Sequence, residues 1–344
     1  MQQGGCMKVL SVDDLATLLK RHGFDAFLSD LLGALKRDYA RWDEFDKIPR
    51  PGMHVPNGIL ELMPVGDDTY YTFKYVNCHP NNPLQGKQTV VATGQISRVD
   101  TGYPLMFSEM TLMTALRTAA NAALAADLMA RASSSVVAMI GTGAQSEFQV
   151  RALKLVRPIT TVRYFDTDPN AMEKFARNMA DSGLELVACR NAEEAVQGAD
   201  IITVCTARYA HVDVLKDEWV TPGVHINAIG GDSKGKTELE LSILDRARVV
   251  VEYFDQAIGE GEIQRLGEEV ARKLVYAELT EIVNGSKSGR DSDDDITLFD
   301  SVGIGLEDYS VLCLAYELAE QYGIGQEVEL IPPITDPKDL ISAL

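Results

Sequence analysis

The feature that most constrains this chain is a segment near its middle, "SVVAMIGTGAQSEFQVRALKLV". A short apolar run leads into Gly141 and Gly143, and an amphipathic stretch follows at once. Strand, tight turn and helix in that order aim backbone N–H groups and a helix N-terminus at a pyrophosphate. Ser146 stands where a third glycine is usual, and a residue that small still permits close packing of helix on strand. The next predicted strand, "TVRYFD", ends in Asp166. A carboxylate there accepts hydrogen bonds from an adenosine ribose and repels a 2′-phosphate, which favours NAD over NADP. Strands and helices go on alternating through "LELVACRNAEEAVQGADIITVCTA", "GVHINAIGG" and "RARVVVE". The pattern predicts an α/β domain of Rossmann type, a doubly wound parallel sheet covered on both faces.

That domain begins some 130 residues into a chain of 344, which is long enough for two cores. Before it, apolar spacing of three and four over residues 8–45 predicts two amphipathic helices. Between 58 and 96, "GILELMPV", "YYTFKYVN" and "TVVATGQIS" read as strands of an antiparallel or mixed sheet. The Ala-rich stretch 108–132 reads as a long helix with Ser108 as its cap, and "YSVLCLAYELAEQYGIG" as a final helix before an extended tail. The acidic run "RDSDDD" reads as a solvated loop.

A net charge of -19 without a basic block argues against a nucleic-acid partner. Five cysteines without a CxxC pair fit a reduced, cytoplasmic protein. No apolar run is long enough to span a membrane, and the five histidines show no metal-ligand spacing, so no metal is expected.

Charges inside apolar runs are the candidates for ligand contact, because a buried charge is costly unless paired. Lys74 in "YYTFKYVN", Glu61 in "ILELM" and Arg117 in "TALRTAA" qualify, and with Arg50 the cations suggest a lining able to hold a carboxylate. At the predicted strand ends, where ligands of open α/β sheets bind, "INAIGGDSKGK" presents Asp232 and Lys236, and "TLFDSVG" presents Ser301 and Val302.

Six stretches, "FKYVNCHP", "DTGYPLMFSEMTLMTALRTAA", "IGTGAQSEFQ", "INAIGGDSKGKTEL", "EGEIQ" and "DITLFDSVG", carry a resemblance to the ornithine cyclodeaminase/mu-crystallin family over about residues 8–340. The resemblance implies a homodimer. An α+β substrate-binding and dimerisation domain, residues 1–130 with 320–344, would flank an inserted NAD-binding domain, 131–319. It implies conversion of L-ornithine to L-proline and ammonia, with NAD taking a hydride from the substrate and giving it back. Matched position by position, Arg50, Lys74 and Arg117 hold the amino-acid carboxylate, with Lys74 beside the reacting carbon. Asp232 is the general acid/base, and Glu61 and Val302 line the substrate pocket. Thr89, Arg117, Gly141, Gly143, Ala144, Gln145, Asp166, Thr206, Asn227, Ala228, Ile229, Gly230, Lys236 and Ser301 meet the cofactor. The sequence departs from the pattern that the resemblance implies at Cys78, where glycine is expected, and in "SKGK", which stands where a Cys-Pro-Gly-Lys type of loop is expected. Other readings within the same fold are a lysine cyclodeaminase, a ketimine reductase or amino-acid dehydrogenase, and a crystallin-like binding protein without catalysis.

Overall fold

The alternating stretch 58–96 folds as the centre of a mixed sheet. In the computed structural model, which describes residues 6–344, Gly58–Gly66, Tyr70–Cys78, Val90–Arg98 and Pro104–Glu109 pair antiparallel in succession. Cys6–Leu10 adds parallel to Pro104–Glu109 and antiparallel to Gln326–Glu329 near the other end of the chain. Residues 8–10 are therefore strand rather than helix. Their partners lie about 100 and more than 300 residues away, beyond the reach of local periodicity. The two predicted helices follow as Val12–His22 and Phe24–Ala40. The first is closed by a capping box in which Asp14 N–H donates to Ser11 Oγ at 3.2 Å and Ser11 N–H donates to Asp14 at 3.0 Å.

Along the central strands one face points inward, with Glu61, Met63, Lys74, Ala92 and Ile96 buried on it. Thr111–Met129 and Gly305–Tyr322 cover that face and Phe24–Ala40 packs on both of them, around fully buried Phe27, Leu31, Leu116 and Leu312. Each such side chain contributes roughly 1.5–3 kcal/mol of burial. Ser108 does not cap the Ala-rich helix. It stays in its strand opposite Gly94, and Glu109 accepts the Leu112 N–H at 2.8 Å instead. The helix Thr111–Met129 is buried nearly all round, and its alanines let neighbours approach closely on both sides.

The second sheet has eight parallel strands in the order Glu185–Ala188, Thr161–Phe165, Val136–Ile140, Ile201–Val204, His225–Ala228, Thr297–Asp300, Arg248–Val251, Val275–Glu278. Chain order reverses between Val136–Ile140 and Ile201–Val204, which opens a crevice at their carboxyl ends. The expected return to the first unit at residue 320 comes sooner, because the whole helix Gly305–Tyr322 packs on the first sheet and on Phe24–Ala40. The acidic loop 290–295 is exposed but tethered, with Arg290 donating to Met129 O at 2.7 Å and Asp291 pairing with Arg248 at 2.6 Å.

Candidate active site

The crevice is floored by the glycine turn. Gly141 sits at φ +93°, and a Cβ there would lie 2.4 Å from Cys205 O, so only glycine fits. A Cβ on Gly143 would meet nothing within 4 Å, which leaves its backbone open to a ligand. Ala144 and Gln145 turn into the helix Ser146–Val156, and Ser146 Oγ donates to Gly143 O at 2.9 Å, completing the turn without a third glycine. Asp166 accepts from Thr142 N–H at 2.7 Å and Asp168 N–H at 2.9 Å, which fixes its carboxylate beside the turn.

Across the crevice, Asn227 and Ala228 end one strand, and Ile229 and Gly230 both donate backbone N–H to Val204 O. Thr206 is pinned by Glu238, which accepts from its N–H at 3.0 Å and from its hydroxyl. Burial pushes the Glu238 carboxyl up to about 7 against the opposing pull of Lys236. Gln145 Oε1, the Asn227 amide nitrogen and Glu238 Oε2 are buried without partners. Open backbone at Gly143, an eleven-residue helix start and these unmet polar atoms fit a dinucleotide.

The inward face of the first sheet meets this crevice. Lys74 Nζ donates to Asp308 at 2.8 Å. Arg117 pairs with Glu307, and its Nε lies 3.3 Å from the same Asp308 oxygen. Arg50 lies 3.2 Å from Glu61, donates to Glu260 at 2.7 Å, and reaches the backbone oxygen of Asp232 at 2.5 Å. The expected cationic lining is therefore not a bare one. Each cation already holds a carboxylate, because three unpaired cations so deep in the fold would be too costly to bury. Burial, helped by Arg117, lowers the Lys74 ammonium to about 8, while Asp308 works the other way.

Asp232 carries the one carboxylate of this group with a substantial opening to solvent, 36% for the side chain, and it is steadied by Lys236 at 3.0 Å and Ser233 Oγ at 3.2 Å. Ser301 Oγ donates to buried Glu252 at 2.6 Å, and the N–H groups of Val302 and Gly303 donate to the same carboxylate. Thr89 lies at the rim, where its backbone oxygen accepts from His79 N–H at 2.8 Å. Cys78, next to it, has its thiol pushed up to about 12 by burial and by Asp232. Both departures from the family pattern thus border the acid. The sequence reading brings these residues together but misses Glu252, Glu260, Glu307 and Asp308, the carboxylates that hold its cations.

Residues 14–323 match the ornithine cyclodeaminase/mu-crystallin family. The chain belongs to that family. Ornithine cyclodeaminase of Agrobacterium tumefaciens is 46% identical over 335 residues, covering 97% of this chain and 93% of the relative. A solved lysine cyclodeaminase, described for its recognition of L-lysine, L-ornithine and L-2,4-diaminobutyric acid, superposes with a TM-score of 0.91 at 31% identity, over 98% of this chain and 100% of that one. An archaeal alanine dehydrogenase dimer with bound NAD gives 0.87 at 32% identity, over 95% and 100%.

Proposed function

We propose that this chain is an ornithine cyclodeaminase, converting L-ornithine to L-proline and ammonia with NAD as a recycled redox group. The observation that carries the reading is Asp232, an accessible acid held between the dinucleotide crevice and the Lys74–Arg117–Arg50 cations. The 46% identity to an ornithine cyclodeaminase over nearly the whole chain supports the same substrate.

NAD, bound along Gly141–Gln145, Asp166, Thr206, Asn227–Gly230, Lys236 and Ser301, would supply the hydride acceptor at Cα and later the hydride donor to the ring. Arg50, Lys74 and Arg117 fix the substrate carboxylate, which orients Cα toward the crevice. Asp232 takes a proton from the α-ammonium, since a carbon losing hydride must carry a neutral amine for the imine to form. Glu61, paired with Arg50 and buried, offers its carboxylate to the distal ammonium. The distal ammonium passes a proton to Glu61, and the freed δ-amine attacks the imine carbon and closes a five-membered ring. Asp232 returns its proton to the departing amine, and ammonia leaves. Holding nucleophile and imine together is worth an effective molarity on the order of 10⁵ M in favourable cases. Val302 closes the wall of the pocket beside Ser301. The assay is direct: purified protein given L-ornithine and catalytic NAD⁺ forms proline and ammonia beyond one equivalent of cofactor. NADH accumulating in step with substrate consumed would replace the lyase with a net dehydrogenase, and faster turnover of L-lysine would replace ornithine.

We infer a homodimer, and the outer face of the first sheet supports it. Leu62 and Tyr75 are register partners there, exposed at 45% and 39%, with Tyr71 and Val91 also exposed and Phe73 and Phe107 partly so. An apolar face of this kind needs a cover, and a second copy pairing the same patch is the simplest one. Tyr75→Glu is expected to convert a dimer to monomer in sedimentation velocity. An unchanged dimer would move the interface elsewhere. No helix among the described residues is long and apolar enough to cross a membrane, and the five free thiols suit a reducing cytoplasm.

A further inference from the structure

Behind the substrate cations lies a buried cluster that the proposed chemistry does not use directly. It is carried by two adjacent residues at the start of the helix Gly305–Tyr322, Glu307 and Asp308, both fully buried. We propose that these neighbours have opposite roles: Asp308 is the ionised positioning residue that holds Lys74 and Arg117 for the substrate carboxylate, and Glu307 is a neutral acid that donates its proton to Glu252.

The geometry separates them. Asp308 gives one oxygen to Lys74 Nζ at 2.8 Å and to Arg117 Nε at 3.3 Å, while its other oxygen is buried without a partner. Arg117 Nε is off the line of a hydrogen bond, and Lys74 uses one of its three N–H donors on Asp308. Donors thus remain free on both cations, and Asp308 aims them. Glu307 faces the other way. The Asn121 amide nitrogen lies 2.8 Å from Glu307 Oε1 and 2.9 Å from Glu252 Oε1, which brings two carboxyl groups to one donor. Glu252 accepts from Ser301 Oγ, Asn121 and the N–H groups of Val302 and Gly303, and the Glu307 carboxyl adds a fifth, shared contact to it. Glu307 accepts from Arg117 and Asn121 alone, fewer donors than Glu252 has, so the proton shared by the pair is assigned to Glu307. Burial and the Glu252 charge raise the Glu307 carboxyl, against the pull of Arg117. The balance is telling. With Glu307 neutral, Lys74 and Arg117 offset Asp308 and Glu252, and the cluster can admit a substrate carboxylate. With Glu307 ionised, it would carry a net negative charge and repel that carboxylate.

The neighbours bear on the pH dependence. Lys74 faces Asp308, Arg117, Arg50 and, more distantly, Glu61. Glu307 faces Arg117, Asn121, Glu252, Asp308 and Tyr39, whose hydroxyl burial keeps protonated. Asp308 is the nearest anion holding Lys74 charged, so removing it leaves burial and the two arginines to drive the ammonium further below 8. Lys74 then loses its proton, and its grip on the carboxylate, at lower pH.

The test compares isosteric variants of the full chain with NAD bound. Asp308→Asn is expected to lower kcat/KM for L-ornithine at least 100-fold, chiefly through KM, and to move the alkaline limb of its pH profile down by about one pH unit or more. Asp308→Glu keeps the charge and should keep the limb. Glu307→Gln retains a donor for Glu252 and an acceptor for Arg117, losing only the oxygen that accepts from Asn121, and should stay within about tenfold of wild type. Equal losses in the two isosteres, or an unmoved limb in Asp308→Asn, would overturn the assignment. Infrared spectroscopy provides a second measurement. The wild-type spectrum should contain a protonated-carboxyl band that Glu307→Gln removes and Asp308→Asn preserves, and its persistence in Glu307→Gln would place the proton elsewhere. The clamp rests on the ornithine reading, but the infrared assignment needs no substrate and can fail or hold without it.

Discussion

Asp232→Asn is expected to reduce kcat by a factor on the order of 10³ while NAD affinity stays within twofold, as befits a lost acid/base group at a site otherwise intact. The asparagine is isosteric, and it keeps an oxygen for Lys236 at 3.0 Å and for Ser233, so the loop geometry survives. Arg50 binds the backbone oxygen of residue 232 rather than its carboxylate, so the substitution leaves that contact in place. What disappears is the ability to accept the α-ammonium proton, and every later step waits on it. Single-turnover experiments separate this from a binding defect: substrate should still protect the cofactor from exchange, with no proline formed. Retained turnover would remove Asp232 from the mechanism and shift attention to Lys74, whose ammonium at about 8 could also exchange protons near neutrality.

The second large effect belongs to the glycine turn. Gly141→Ala places a methyl group 2.4 Å from Cys205 O on a backbone at φ +93°, a conformation that costs a non-glycine residue about 1–2 kcal/mol before any clash is counted. Either the turn or the strand Ile201–Val204 must shift, and both line the crevice. We expect a drop of several degrees in Tm and a weakening of NAD binding of about 100-fold or more, read by thermal unfolding with and without cofactor. Gly143→Ala is the control, since its Cβ enters open space in the free protein. It should preserve Tm without NAD and weaken only the cofactor-dependent increment. A Gly141→Ala protein with unchanged NAD affinity would show that the turn is not the pyrophosphate site.

The strand–turn–helix and the alternation after it were legible because each element carries its own periodicity and its own breakers. The same holds for Lys74 and Arg117, which stand out as charges in apolar runs. That reasoning extends to Glu307 and Asp308 in "IGLEDYSVLCLAYELA", where two acids stand in the first turn of a buried helix. The signal is present, but a final helix drawn from "YSVLCLAYELAEQYGIG" leaves both acids outside it. Glu260 and Glu252 offered less, since acids at the end of a helix or strand are common and nothing local tells which of them faces inward. The Arg50–Glu260 pair joins residues 210 positions apart, so only the closed fold discloses it. The strand Cys6–Leu10 and the misplaced cap at Ser108 share one cause: sheet partners far along the chain extended a strand where short-range spacing suggested a helix.

The Ala-rich helix Thr111–Met129 has a mechanical consequence. It packs against the first sheet on one side and against the helix Ser146–Val156 on the other, and it presents Arg117 and Asn121, one turn apart, to the buried acids. A single rod is thus embedded in both halves of the molecule, and a clamshell opening would have to pull it out of one of them. Traffic into the site falls instead to the rim, where Tyr209 latches one loop to the next by donating its hydroxyl to Lys234 O at 2.6 Å. Slow amide exchange throughout the rod, beside fast exchange at the latch, would be the signature of an enzyme that breathes at its lips while its jaws stay shut.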